Sequence, residues 1–223
     1  MRLNKWIAAH SLHSRRKADE LIATGRVVVD GKPAILGTTA EDDSIVEIDG
    51  KRIGSQINKS KKLVVLLNKP VGYVCSRNGQ GAPTVYGLLP LEYHLLDIAG
   101  RLDKDSSGLV ILTNNGELMQ QLTHPSHQKD KVYTATLDHA LQQNDQQAIE
   151  QGVRLEDGPS ALGLKLLSAD KKQWQITMHE GRNRQIRRTF AAQGYDVIAL
   201  KRLSVADYTL DAIAEGDFVV VYS

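Results

Sequence analysis

From residue 63 onward the chain repeats short apolar, strand-like runs, and this pattern most restricts its fold. Such runs occupy residues 63–67, 73–76, 95–99, 109–113, 133–137, 162–167, 174–178, 197–200 and 218–222, many rich in Val, Ile and Leu. Helix-like stretches are fewer, at 117–122, at 141–150 before Gly152, and in a third segment ending near Gly194. The pattern predicts an α+β domain: a large mixed or antiparallel sheet with helices packed on it. It contains no internal repeat and no low-complexity tract.

The first sixty residues follow a different plan. Leu3, Ile7 and Ala8 fall at helical spacing, and Ser14 is placed to cap a second helix carrying Ala18, Leu21 and Ile22. Gly25 closes that helix, residues 27–29 and 45–48 favour strands, and Asp30-Gly31 and Asp49-Gly50 read as tight turns. A small helix pair on a short sheet is expected over residues 1–53. A polar linker follows at 54–62 (GSQINKSKK), with a larger domain at 63–223.

Charge divides at the same place. The net charge of +2 conceals twelve Lys/Arg against eight Asp/Glu in residues 1–62, and sixteen against eighteen beyond. Arg2, Lys5, Arg15, Arg16, Lys17 and Arg26 concentrate the excess. This is the footprint of a phosphate-binding surface, although a solvated helix face gives the same count. Arg15, Arg16 and Lys17 stand in the first turn of the second helix, where the helix dipole disfavours cations unless an anion joins them.

Composition removes other classes. A single cysteine excludes an intramolecular disulfide framework and Cys-rich zinc sites, and suits a reducing cytoplasm. No run approaches the roughly 20 apolar residues of a membrane span, and the first ten residues lack a secretory signal's apolar core. A cytoplasmic protein with no membrane partner is expected.

Three polar segments interrupt the strands of the larger domain, at 68–72, 100–108 and 180–188. In the second, Asp103 lies beside Arg101 and Lys104, with Asp105 two residues on; nearby cations keep a carboxylate ionised. An ionised loop aspartate is a candidate nucleophile for a sugar carbon, and an Asx-type turn with surface ion pairs is the alternative. In the third, Arg182, Arg184, Arg187 and Arg188 crowd the start of a helix. They can grip phosphate or fork onto a carboxylate. Ile186 and Phe190 in the same segment bring part of that helix to the core.

Other residues invite different chemistry. Cys75 could be a thiol nucleophile, but its apolar strand-like setting favours a buried small hydrophobe. His124 and His127 have metal-like spacing without further ligands nearby in sequence, so a loop or RNA-facing role is favoured. Tyr133 could equally be a core aromatic.

Two resemblances sharpen these readings. Residues 1 to about 50, RLNKWIAAHSLHSRRKADELIATGRVVVDGK above all, resemble the RNA-binding domain named after small-subunit ribosomal protein S-four. LNKPVGYVCS at 67–76, GRLDKDSSGLVILTNNG at 100–116, KVYTATL at 131–137 and EGRNRQIRR at 180–188 together resemble the ribosomal-RNA pseudouridine synthases of the RsuA and RluB kind. The resemblance implies a pseudouridine synthase catalytic domain, an isomerase exchanging a C–N for a C–C glycosidic bond in one rRNA uridine. It implies that Asp103 is the catalytic aspartate, that Tyr133 stacks on the flipped base, and that Arg187 pairs with the aspartate. Arg101 would fill the gap left by the nucleotide, and Lys69 and Pro70 would support the catalytic loop. Leu203, or a neighbour after Arg202, would wall the uracil. Ser106-Ser107 departs from the commoner Thr or Gln.

The remaining basic residues, Lys104, Arg182 and Arg184 with the N-terminal set, are expected to contact RNA. The isomerisation involves no redox change and no external group, so neither metal nor organic cofactor is expected. The expected partner is structured rRNA, in an assembling ribosomal subunit or free, and the expected state is a monomer. The alternative function is a non-catalytic RNA-binding or ribosome-assembly factor on the same fold.

Overall fold

The structure, a computed structural model, describes residues 1–11, 13, 15–41, 43–53, 62–79 and 81–222. The expected Ser14 cap and all but the last residue of the expected linker at 54–62 lie outside the described residues. The chain divides into two compact units, Met1–Lys62 with Leu91–Leu96, and Leu63–Pro90 with Asp97–Ser223.

In the first unit, Leu3, Trp6, Ile7 and His10 recur at helical spacing and are the buried face of α1 (Leu3–His10). Ala18, Leu21 and Ile22 do the same in α2 (Arg15–Ala23). Strands β1 (Val27–Val29), β2 (Lys32–Pro33), β3 (Val46–Ile48) and β4 (Lys51–Ile53) form an antiparallel sheet in the order β2-β1-β3-β4. Asp30-Gly31 and Asp49-Gly50 take positive φ at both positions, the geometry their hairpins require. Both helices bury their apolar faces with Val27, Val46 and Ile48 in one core.

In the second unit the strands are β5 (Leu63–Lys69), β6 (Asp97–Ala99), β7 (Ser107–Thr113), β8 (Lys131–Leu137), β9 (Val153–Leu155), β10 (Gly158–Ser160), β11 (Gly163–Leu166), β12 (Gln173–Met178), β13 (Val197–Val205), β14 (Tyr208–Thr209) and β15 (Phe218–Tyr222). The helices are α3 (Gly116–Thr123), α4 (Gln143–Gln151) and α5 (Gln185–Ala191). A nine-stranded mixed sheet runs β11-β12-β8-β13-β7-β5-β15, with β6 also paired to β7 and β14 to β13. Its described pairings are antiparallel except β13 with β7, where Lys201 faces Ser107 and Arg202 faces Gly108.

Burial follows position in the sheet. Strands β5 and β7 bury six of their seven residues, the pattern of strands covered on both faces, whereas β8 alternates as a half-covered strand does. The Asn115 side chain caps α3 by accepting from the Glu117 and Leu118 amides. Leu118, Met119 and Leu122 of α3 then pack on Val64, Leu66, Leu109 and Ile111.

The expected strand at 73–76 is absent. That segment bends, touching Thr84 only through an isolated bridge at Val74, because Gly72 is drawn by its amide to the Lys104 carbonyl and no ladder partner lies alongside. Cys75 therefore sits in a bent segment, not a strand, although it is buried as expected.

Candidate active site

The polar loop between β6 and β7 is fastened from several directions. Lys69, at the end of β5 and fully buried, donates through Nζ to the Ser106 carbonyl at 2.6 Å and the Pro70 carbonyl at 2.9 Å. Gly72 N–H donates to the Lys104 carbonyl at 2.8 Å, and Ser106 N–H closes a turn on the Asp103 carbonyl at 3.2 Å. Leu102 N–H reaches Cys75 Sγ at 3.4 Å. Arg202, only 2% exposed, donates through Nε to the Leu109 carbonyl at 2.7 Å and through Nη2 to the Gly100 carbonyl at 2.9 Å. Both flanks of the loop thus hang on one side chain of β13.

Burial pushes the Lys69 amine below its ordinary value, against the pull of the Cys75, Asp105 and Asp103 charges in the other direction. Burial pushes the Cys75 thiol up, which disfavours the thiolate a nucleophile needs.

The loop carries Asp103 to a cleft of about 370 Å³. Asp103 keeps 36% of its side chain exposed, so its carboxylate can be reached. Tyr133 of β8 lines the same cleft and is only 6% exposed, and Arg101 lines it from an exposed position. The structure therefore brings Asp103, Tyr133, Arg101, Arg184 and Arg187 to one cavity.

Partners within that set differ from expectation. Arg187 does not pair with Asp103: its Nη2 donates to the Asp105 carbonyl at 2.9 Å, its Nη1 to the Val197 carbonyl, and its Nε lies 3.4 Å from the Asp105 carboxylate. The cation beside Asp103 is Arg184, at 3.7 Å. Arg184 holds Asp105 more tightly, in a fork of 3.0 and 2.9 Å. That hydrogen-bonded guanidinium holds the Asp105 carboxyl below the usual carboxylate range.

Arg182, expected to contact RNA, is committed inside the protein. It donates to the carbonyls of Asp157, Gly158 and Pro159 and pairs with Asp157 and Glu180. Arg188 pairs with the other oxygen of Asp157 at 2.7 Å. These two arginines, Arg182 before α5 and Arg188 within it, pin the β9–β10 hairpin to that region. Leu203 does not line the cleft; Leu200 and Arg202 do, because alternation along β13 sends 200 and 202 to one face. Lys104 is exposed and outside the lining, and Pro70 serves through its carbonyl. Of the two histidines with metal-like spacing, His124 lines the cleft and bonds Ser126 through Nδ1.

In the first unit Arg2, Lys5, Arg15 and Arg16 are exposed. Lys17 pairs with Glu20 at 2.6 Å and Arg26 with Asp49 at 2.5 Å, so these two cations are partly neutralised.

Sequence reasoning missed Arg202 and the part played by Asp105. A buried arginine within LKRLSV carries no local mark, because Lys201 and Arg202 are adjacent, so they point to opposite faces of the strand and nothing local says which of them faces inward.

Comparison with known proteins adds the rest. The family model described as RNA pseudouridylate synthase matches residues 63–192, and that of the S4 domain matches residues 1–38. The chain belongs to the RNA pseudouridylate synthase family. The ribosomal large subunit pseudouridine synthase B of Bacillus subtilis (strain 168) is 39% identical, covering 97% of this chain and 90% of the relative. The ribosomal small subunit pseudouridine synthase A of Yersinia pestis is 35% identical, covering 98% and 93%. A crystal structure of a pseudouridylate synthase, 30% identical, superposes with a TM-score of 0.71 over 99% of this chain and 96% of that one. Pseudouridylate synthases are isomerases, and the matched region carries the Asp103 loop, Tyr133 and the arginine-rich turn, while Arg202 lies beyond it.

Proposed function

We propose that this chain converts a specific uridine of ribosomal RNA to pseudouridine, with residues 1–53 docking the RNA and residues 63–223 carrying out the reaction. One observation carries the reading: a reachable carboxylate, Asp103, stands in a cleft with Tyr133, on a loop tied by Lys69 and Arg202. A uridine stacked in folded RNA cannot reach Asp103, so the nucleotide flips out at a cost of a few kcal/mol. Arg101, exposed at the cleft, supplies the filler for the gap, and Tyr133 supplies a face on which the loose base stacks. Asp103 then acts at the ribose, either by attack on C1′ or by taking a ribose proton, with Arg184 standing 3.7 Å from its carboxylate. Arg187 acts as a positioning residue, through Asp105.

The names of the relatives support ribosomal RNA as substrate and leave both subunits open. Every residue lining the cleft comes from the second unit of one chain, which supports a monomer as the acting form, in the cytoplasm where ribosomes assemble. Among the described residues no helix is long and apolar enough to cross a membrane.

The test is nucleoside analysis and pseudouridine mapping of unmodified rRNA incubated with wild type and with Asp103→Asn. Wild type is expected to form pseudouridine at a defined position. Asp103→Asn is expected to bind the RNA with nearly unchanged affinity and form none. No pseudouridine from wild type would overturn the reading in favour of a non-catalytic assembly factor, and turnover by Asp103→Asn would remove Asp103 from its role.

A further inference from the structure

Arg202 does more than brace a loop. Two of its three guanidinium nitrogens are spent on the Leu109 and Gly100 carbonyls. The third, Nη1, has no hydrogen-bond partner among the described residues. Yet it is not sealed off, since Arg202 lines the cleft and Nη1 is not among the buried unpartnered atoms. It lies beside Gly100, another residue of the cleft lining: an ideal Cβ on Gly100 would stand 3.9 Å from Nη1, an ordinary contact distance. A side chain 98% withdrawn from water therefore aims one unsatisfied donor, and a full positive charge, into the cavity that holds Asp103 and Tyr133.

A donor so deeply set does not suit a phosphate, which stays hydrated at the rim where Arg101 is exposed. It suits a group that enters the cavity, and in the reading given above that group is the flipped base. When the C1′–N1 bond of uridine breaks, its electron pair stays with the base, so the departing uracil carries negative charge spread over N1, O2 and O4. When C5 then bonds to C1′, the pair returns to carbon, the C5 proton leaves, and N1 takes up a proton; uridine and pseudouridine have the same atoms. A fixed donor aimed at charge that exists only between these two events is the arrangement that lowers a barrier most.

We propose that Arg202 is a catalytic residue whose free guanidinium nitrogen binds a carbonyl oxygen of the flipped uracil and stabilises the uracil anion while it is detached from the ribose. The charge of Arg202 is felt in this cavity: it lowers the Lys131 and Lys69 amines further below their ordinary values, after burial has done so. The inference rests on the isomerase reading and goes beyond it.

The experiment compares leaving groups. Unmodified rRNA is transcribed with uridine or with 5-fluorouridine, whose fluorine makes the departing base a more stable anion. Single-turnover consumption of the target nucleotide is then measured with wild type, Arg202→Met and Arg202→Lys, alongside RNA affinity. Arg202→Met is expected to react about 10²-fold more slowly than wild type on uridine RNA, with affinity within about threefold. On 5-fluorouridine RNA its deficit is expected to shrink at least about tenfold, because a better leaving group needs less help. A residue that only braces the loop would slow both RNAs equally, so equal deficits overturn the proposal. A loss of affinity matching the loss of rate overturns it too, since the contact would then be made equally before reaction. If Arg202→Met loses its near-ultraviolet dichroism, the same ratio is read on Arg202→Lys, which keeps charge but not the fork, and equal deficits again overturn it. Wild-type turnover together with an inert Asp103→Asn keeps the isomerase reading standing when the Arg202 result fails. A wild type inert on uridine RNA overturns both.

Discussion

Gly108 and Arg202 meet backbone to backbone: a Cβ on Gly108 would lie 2.2 Å from the Arg202 carbonyl oxygen and 2.6 Å from its nitrogen. Gly108 also has φ +103, outside the range L side chains adopt readily. Neither backbone can retreat, because this contact is the parallel register of β13 with β7. Gly108→Ala is therefore expected to lose about 3 kcal/mol of stability in urea denaturation, with most of the turnover.

Asp105 gathers Arg184 and Arg187, and Arg184 also stands 3.7 Å from Asp103. Its folded-state pKa is depressed, so the stability it adds is full above the ordinary value of 3.8 and is lost as pH falls through the lower folded value. Thermal melts should show Asp105→Asn below wild type by a constant margin from pH 7 to about 5, with the margin closing below 3.8. A margin that widened in acid would contradict this linkage.

Tyr133 lines the cleft and is only 6% exposed. If the ring's face is what matters, Tyr133→Phe should retain turnover within about tenfold. Tyr133→Leu, which fills part of the space without a π-face, should lose about 10²-fold or more, since base stacking is worth about 1–3 kcal/mol. Rates under single-turnover conditions distinguish the two.

The N-terminal cations divide into exposed and paired sets. Replacing both Arg15 and Arg16 with Gln should lower the slope of log affinity against log salt by about 2, leaving the rate on bound RNA unchanged. Replacing Lys17 and Arg26, already paired with Glu20 and Asp49, should change that slope less.

Much of this architecture is legible in the sequence where local chemistry decides it. The Asp-Gly pairs mark hairpins because two positive φ values are needed there, and the runs at 27–29, 109–113 and 218–222, rich in β-branched residues, fall in strands because such side chains suit a pleated surface. The Asp103 loop stands out as a polar interval between apolar strands. What stays hidden depends on residues far apart in the chain. Arg182 and Arg188 read as phosphate grips, yet both close on Asp157, 25 and 31 positions away. Arg187 reads as the partner of one aspartate and is held by the next. Residues 73–76 have strand-like composition, but the segment bends after the Gly72 tie to Lys104 and pairs only at Val74, through the isolated bridge to Thr84.

The parallel contact of β13 with β7 also bears on when this protein can work. The loop that bears Asp103 is complete early in the chain, but its anchor at Arg202 lies 102 positions beyond Gly100. Chains emerge from the ribosome N-terminal end first. A nascent chain thus exposes residues 1–53 and the Asp103 loop well before the strand that fixes that loop has been translated.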